Sequence, residues 1–346
     1  MVIYNTALTY EENLKKPPVV ENPVKFSGEP KVDLMGTKVY APIGIPAGPL
    51  PNADYIEAAV KFGACVPTYK TVRTIERACH PFPNCVFLLP ECVVEMGGQA
   101  VASGEKTDTM TNSFGMPSFA PDIWMPDVAR AQKYIDENPG RLLIVSVVGS
   151  KTESREALAA DYALCANYAK DAGARIIELN LSCPNVGKEG LGSIYQDGEL
   201  AGEIVRAVRK ALGNEIRILI KVGFWSNKRN MEDVVAAAVK AGVNGIVGIN
   251  TIPMNVYDKD GNQALPGPGR LSSGVCGRGI APFAEAWLKD VSKLNADNKY
   301  GLVIGSSGGI MDAGDFNKRL DGGADFVLAA TGPMSDPDMF RRFFGE

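Results

Sequence analysis

Arg175-Ile-Ile-Glu-Leu-Asn-Leu-Ser-Cys-Pro-Asn185 opens as an apolar, β-branched run and closes in two carboxamides, a hydroxyl and a thiol grouped around a proline. Asparagine is a poor strand-interior residue and proline cannot donate to a ladder, so the polar cluster Asn180 to Asn185 marks the exit of a buried strand. Amides that donate and accept, beside a thiol that can lose a proton, suit a planar ligand rich in carbonyl and N–H groups.

Outward from this stretch the same pattern recurs. Apolar strand candidates cover residues 42–47, 65–71, 142–149, 176–182, 216–222, 245–251, 302–306 and 326–330. Helical patterns fill 54–62, 127–137, 155–172, 199–212, 231–241, 282–294 and 313–321, and 337–344 closes the series. Continuous apolar strands alternating with amphipathic helices imply a parallel sheet buried on both faces. Eight such units point to an α/β fold, a (β/α)8 TIM barrel; a doubly wound open sheet is the alternative. No G-x-G-x-x-G follows the first strand, which weakens a dinucleotide fold. Residues 1–40 read as an extended N-terminal arm with a short hairpin (31–40) covering the barrel floor. Two long inserts, 72–127 and 253–280, follow strands two and six and belong over the active face. Their density of Gly, Pro, Asn and Ser predicts mobile or closing loops.

Composition narrows the function. The 346 residues are 45% hydrophobic and 22% charged, with net charge −4, which argues against a nucleic-acid surface. No run of about 18 apolar residues occurs and the first sixteen residues lack a signal-peptide core, so a soluble, cytoplasmic protein with no membrane partner is expected. Seven cysteines without paired C-x-x-C spacing fit reduced thiols, and no metal site is expected. The single histidine, His80, makes a Ser-His-Asp triad or multi-histidine metal site untenable and leaves proton transfer to Cys, Lys, Tyr, Asp or Glu. No histidine is expected near the 180–185 cluster.

In a barrel, chemistry sits at the carboxyl ends of the strands. Strand one ends in the small-residue turn Gly44 to Pro49, with Ala47 and Gly48. Strand two ends Tyr69-Lys70-Thr71, strand five Ile220-Lys221-Val222, and strand six Ile249-Asn250-Thr251. Strand seven ends Ser306-Ser307-Gly308-Gly309, and strand eight Ala330-Thr331-Gly332. Glycines there let the backbone touch an anion, so a phosphorylated cofactor between strands seven and eight is the natural inference. Lys70 and Lys221 are costly to bury unless they meet something electron-rich. Singly, these are a turn, a snorkelling lysine or a packed thiol; six strand ends carrying such signals together converge on one site.

At these residues the chain resembles the dihydroorotate dehydrogenase family, FMN-dependent barrels of pyrimidine synthesis. Asn180-Leu-Ser-Cys-Pro-Asn185 reads like the family's N-L-S-C-P-N. Thr111-Asn112-Ser113-Phe114-Gly115-Met116-Pro117 is similar to its I-N-S-M-G-L-P loop, and the blocks at Lys70, Lys221, Asn250 and Gly305 to Gly309 follow in the family's order. The likeness runs from about Lys31 to the C-terminus. It implies one FMN-binding (β/α)8 barrel domain across 1–346 that oxidises (S)-dihydroorotate to orotate.

By that resemblance FMN contacts Ala47, Gly48, Lys70, Thr71, Asn112, Asn180, Lys221, Thr251, Gly274 and Gly277, with its phosphate on Ser307, Gly308, Gly309, Ala330 and Thr331. Lys221 faces the flavin's pyrimidine edge. Lys70, Asn112, Asn180, Asn185, Asn250 and Thr251 hold the substrate, and the N–H groups of Phe114, Gly115 and Met116 its carboxylate. Cys183 is the base at ring carbon 5 while a hydride passes from carbon 6 to flavin N5, with Ser182 and Lys70 completing the catalytic set. A free thiol has a pKa of about 8.5, so activity should rise through the mildly alkaline range.

Cysteine at 183 resembles the soluble class 1 enzymes. The 112–117 loop is similar to the fumarate-using homodimers, whereas residues 187–193 and the Asn250-Thr251 pair look more like the form that passes electrons to NAD through an iron–sulfur partner subunit. The chain departs from the pattern in a longer 72–110 region, in Arg73 and Cys276, in Ala330 where glycine is expected, and in Ser118 where asparagine is usual. Rival readings are a uracil- or thymine-reducing dihydropyrimidine dehydrogenase, a tRNA-acting dihydrouridine synthase, and a silent flavin-binding barrel.

Overall fold

A computed structural model describes residues 2–182 and 193–345. Eight parallel strands, hereafter one to eight, close a barrel in chain order: Ile43–Ile45, Val66–Val72, Ile144–Val147, Ile176–Asn180, Arg217–Lys221, Gly245–Gly248, Val303–Ser307 and Phe326–Leu328. The open doubly wound sheet is thereby excluded. Each strand agrees with the sequence pattern to within three residues at either end.

The apolar runs arise because both faces are covered; strand two is buried at all seven positions. Its alternation fixes the site. Tyr69 points outward, where its hydroxyl donates to Asp127 Oδ2 at 2.7 Å, so Thr68 and Lys70 point into the barrel. Strand five pairs with strand four as Leu219↔Glu178 and Lys221↔Asn180, and Asn180 and Lys221 face one cavity at the mouth.

Among the described residues seven long helices wrap the barrel, several started by side chains the sequence supplies. Asn52, Ser154 and Asp197 each accept an N–H from the first turn, and Asp312 forms a capping box with Asp315. The helix expected over 127–137 in fact spans Pro121–Glu137. Pro121 sits in the first turn, where a missing N–H costs nothing, and Pro126 forfeits only one intrahelical bond. Buried Trp124 secures the added turns by donating its indole N–H to the Arg73 carbonyl at 2.9 Å. The closing segment is two short helices, Thr331–Ser335 and Met339–Phe343. Pro337 holds Asp336 in an extended conformation that no helix can pass through.

The two inserts are not loose loops. Cys85–Phe87, Gln99–Val101 and Thr109–Asn112 from the first join Ile252–Tyr257 and Ser272–Gly277 from the second in one five-stranded sheet over the carboxyl end of the barrel. Thr109–Asn112 lies between Cys85–Phe87 and Ser272–Gly277, pairing Asn112 with both Cys85 and Gly274. Strands of three to six residues, joined between the inserts across some 160 positions, leave no local signature.

The hairpin is present as Val32–Leu34 against Thr37–Val39, and the Tyr40 N–H that follows donates to the Gly140 carbonyl ahead of strand three, on the barrel floor. The rest of the arm departs from expectation. Residues 2–14, with the short helix Tyr10–Leu14, reach the opposite end, where Tyr4 and Tyr10 pack edge-on against Phe114. Two buried tyrosines packed on half-buried Phe114 hold this part of the arm away from the floor.

Candidate active site

The strand ends and the covering sheet enclose a cavity of about 610 Å³. Every predicted site residue among the described ones lines it: Ala47, Gly48, Lys70, Thr71, Asn112, Phe114, Gly115, Met116, Asn180, Ser182, Lys221, Asn250, Thr251, Gly274, Gly277, Ser307, Gly308, Gly309, Ala330 and Thr331. Cys183 and Asn185 lie outside the described residues, as do the first six positions of the 187–193 stretch.

The two inward lysines dominate the electrostatics. Lys70 is 6% and Lys221 3% exposed, and neither ammonium has a hydrogen-bond or ion-pair partner among the described residues. Burial lowers Lys70 to about 8, Cys79 opposing the drop while Arg73 and Lys221 add to it. Burial lowers Lys221 as well, against the pull of Glu178 one layer deeper. Glu178 is fully buried, and burial pushes its carboxyl up while Lys221 and the Ser146 hydroxyl hold it down. Arg73, Arg77 and Arg270 join the lysines on the lining, and among the described residues no Asp or Glu does. Five cationic side chains on one lining make a receptor for anions.

The strand-four amide is held in a fixed orientation. Asn180 Nδ2 donates to Thr71 Oγ1 at 3.1 Å, and its Oδ1 accepts the Ser182 hydroxyl at 2.8 Å and the Ser182 N–H at 3.3 Å. The Ser182 hydroxyl is thus spent on aligning Asn180. Asn112 Nδ2 makes only long contacts, 3.4 Å to the Gly274 carbonyl and 3.6 Å to Cys276 Sγ, and so remains available to a ligand.

The 112–116 loop turns on two successive left-handed residues, Gly115 (φ 75°) and Met116 (φ 49°). Arg73, 3% exposed, donates to the Met116 carbonyl at 3.2 Å and to Ser150 Oγ at 2.9 Å. Ser118 accepts the Arg73 N–H on its hydroxyl and pairs its backbone with Arg77. The two departures from the family pattern, Arg73 and Ser118, therefore brace this loop together.

Sequence reasoning missed several lining residues. His80 is at the site after all: its N–H donates to the Phe114 carbonyl, its Nδ1 meets Ser113 Oγ at 3.2 Å, and its Nε2 lies 2.4 Å from where a Cβ on Gly115 would stand. Burial lowers its pKa, helped by Arg270 and Arg77, so the ring is neutral at neutral pH. Arg270 ties the two inserts, donating to the carbonyls of Pro81, Pro83, Ser113 and Pro266. A lone arginine closing the Gly/Pro-rich run 266–269 was the one signal available. Tyr4 and Tyr10 gave none.

A family model described as dihydroorotate dehydrogenase matches residues 30–346. The chain is 36% identical over 353 residues to a dihydroorotate dehydrogenase of Dictyostelium discoideum, covering 97% of this chain and 94% of that one. It is 30% identical over 214 residues to the NAD-dependent dihydropyrimidine dehydrogenase subunit PreA of Escherichia coli, 60% of this chain and 48% of the relative. It is 32% identical over 171 residues to a dihydroorotate dehydrogenase A (fumarate) of Limosilactobacillus reuteri, 49% and 52% of the two chains. With a barrel of the expected topology, a cavity at its carboxyl face and a match across nine-tenths of its length, the chain belongs to the dihydroorotate dehydrogenase family.

Proposed function

We propose that this chain oxidises (S)-dihydroorotate to orotate with bound FMN, as a class 1 enzyme with Cys183 as the base. Its family makes it an oxidoreductase of the dihydroorotate dehydrogenase type. The observation that carries the substrate is the charge of the cavity: five cations on the lining and, among the described residues, no carboxylate there. A dihydropyrimidine without a carboxylate would leave that charge unanswered, so the uracil-type reading is not favoured.

The residues fit a flavin phosphate and ring. Gly308 (φ 105°) and Gly309 (φ 79°) expose backbone at the end of strand seven, beside Ser307, Ala330 and Thr331. Gly48 (φ 146°) has open space where a side chain would stand, so a flat ring can lie against Ala47 and Gly48. Lys221, buried and without a hydrogen-bond or ion-pair partner among the described residues, suits the electron-rich pyrimidine edge, with Thr71, Gly274 and Gly277 around the ring. When bound, FMN supplies the hydride acceptor.

The rest falls to the chain. Lys70 stands between flavin and substrate carboxylate. Asn112, Asn180, Asn185, Asn250 and Thr251 read the ring's amide edges, with Asn180 aligned by Ser182. The Phe114, Gly115 and Met116 N–H groups hold the carboxylate. Cys183, which lies outside the described residues, takes the carbon 5 proton as its thiolate. The reading also takes the chain as one domain, homodimeric and cytoplasmic; among the described residues no helix is long and apolar enough to cross a membrane. The acceptor is fumarate, or NAD through a partner subunit; relatives named for each are similar to this chain.

The test is anaerobic mixing of FMN-loaded protein with dihydroorotate, dihydrouracil and dihydrothymine in turn. Bleaching by dihydroorotate alone is expected. Bleaching by dihydrouracil but not dihydroorotate would overturn the substrate, and failure to take up FMN would overturn the cofactor.

A further inference from the structure

The family match begins at residue 30, yet the wall of the cavity beside the 112–116 loop is made in part by residues 2–14. Tyr4 and Tyr10 line the cavity, 5% and 7% exposed. Their rings both meet Phe114 edge-on, with centroids 5.8 Å and 6.5 Å away. Phe114 is thus gripped by an arm lying far from it in sequence, while its own backbone belongs to the loop that faces the ligand.

The arm is built to stay in place. Asn13, 2% exposed, donates its amide to the carbonyls of Asn5, Leu8 and Thr9 and accepts the Asn5 N–H. Its own carbonyl accepts the Tyr55 hydroxyl at 2.9 Å, which fastens the arm to the helix after strand one. A reciprocal capping box between Thr9 and Glu12 starts the short helix that carries Tyr10. Burial keeps both tyrosines in the uncharged phenol form, so the wall they add is neutral and aromatic beside five cations. A neutral rigid wall limits how far a ligand can extend past its anionic group.

We propose that Tyr4 and Tyr10 are positioning residues that set substrate specificity, fixing Phe114 so that the 114–116 N–H groups meet a carboxylate on a small ring and closing the cavity behind it. This rests on the reading that those N–H groups hold the substrate carboxylate. The ligand class that fits is a planar six-membered ring bearing one compact anionic group; the same ring with that group esterified is too long.

The experiment uses FMN-loaded full-length protein and follows the flavin absorbance change on adding orotate. Tyr4→Ala/Tyr10→Ala should weaken orotate binding about tenfold, two edge-on aromatic contacts at about fivefold each with partial overlap. KM for dihydroorotate should rise by a similar factor with kcat within about twofold, FMN affinity unchanged, and the methyl ester of orotate should bind the variant relatively better. Tyr10→Leu, which keeps bulk but not the edge contact, covers the case in which the double variant does not fold, and should weaken orotate about threefold. Variants that bind orotate as the parent does, or that lose FMN and orotate affinity in parallel, overturn the proposal. A parent protein that binds FMN but shows no orotate response fails the substrate reading instead.

Discussion

Replacing Arg270 with methionine removes a clamp that no neighbouring side chain can rebuild. The guanidinium is 3% exposed and donates to four backbone carbonyls, at 2.8 Å to Pro81, 3.0 Å to Pro83, 2.7 Å to Ser113 and a short bond to Pro266, and to Ser113 Oγ at 3.2 Å. Methionine recovers the packing of the stem but none of the donors. The carbonyls lie beside a cavity and can be partly rewetted, so each loss is taken at about 1 kcal/mol, the low end for a buried acceptor left unpaired. The total is about 4 kcal/mol, concentrated where residues 80–84, 113 and 266–270 meet.

Such a loss opens the inserts locally before the barrel unfolds. Amide exchange across 80–88 and 109–116 should accelerate about a thousandfold, while strands three to five exchange at the parent rate. Orotate affinity should fall with it, because the 112–116 loop is the element released. Exchange within about fivefold of the parent across those segments would refute the clamp, as would a uniform acceleration over the whole barrel.

Three further outcomes are expected. Gly115→Ala places a Cβ 2.4 Å from His80 Nε2 on a residue at φ 75°, so orotate affinity should drop at least about tenfold with FMN still bound; adding His80→Ala should restore part of it, and no restoration would mean backbone strain alone is responsible. Lys70, lowered by burial from 10.5 to about 8, leaves the unfolded chain binding more protons between those values, so the ligand-free protein gains stability as pH rises through that window and bears the full burial cost below it. Lys70→Met should remove a gain of about 3 kcal/mol, read as the difference in denaturant midpoints between variant and parent at the two ends of the window; parallel pH profiles would contradict the shift. Asp127→Ala takes the acceptor from the Ala53 N–H and the Tyr69 hydroxyl, both at 2.7 Å, and should cost about 2 to 3 kcal/mol in global unfolding, against under about 0.5 if the pair is merely incidental.

The barrel was legible because its strands are hydrophobic at nearly every position, a pattern that survives any uncertainty at the ends. Lys70 and Lys221 stood out for the same reason: a cation inside such a run has to face something. The covering sheet left no such mark. Gln99–Val101 and Thr109–Asn112 are three and four residues long, and each pairs with a segment more than a hundred residues on. His80 and Arg270 read as ordinary turn residues because what distinguishes them is the set of carbonyls and glycines brought to them. Tyr4 and Tyr10 belong with these, since an aromatic near a chain end has no periodicity to betray its neighbour.

The interleaving of that sheet has a consequence for assembly. Thr109–Asn112 has its neighbours on either side drawn from different inserts, so it stays half-paired until the chain has passed Gly277. Until then strands one to six can be in register while the mouth is still uncovered. The FMN proposed above would enter during this interval without prising apart finished structure, and the late-pairing sheet would then close over it. Cofactor loading and completion of the fold become one event, which predicts that protein folded without flavin takes it up far more slowly than the nascent or refolding chain does.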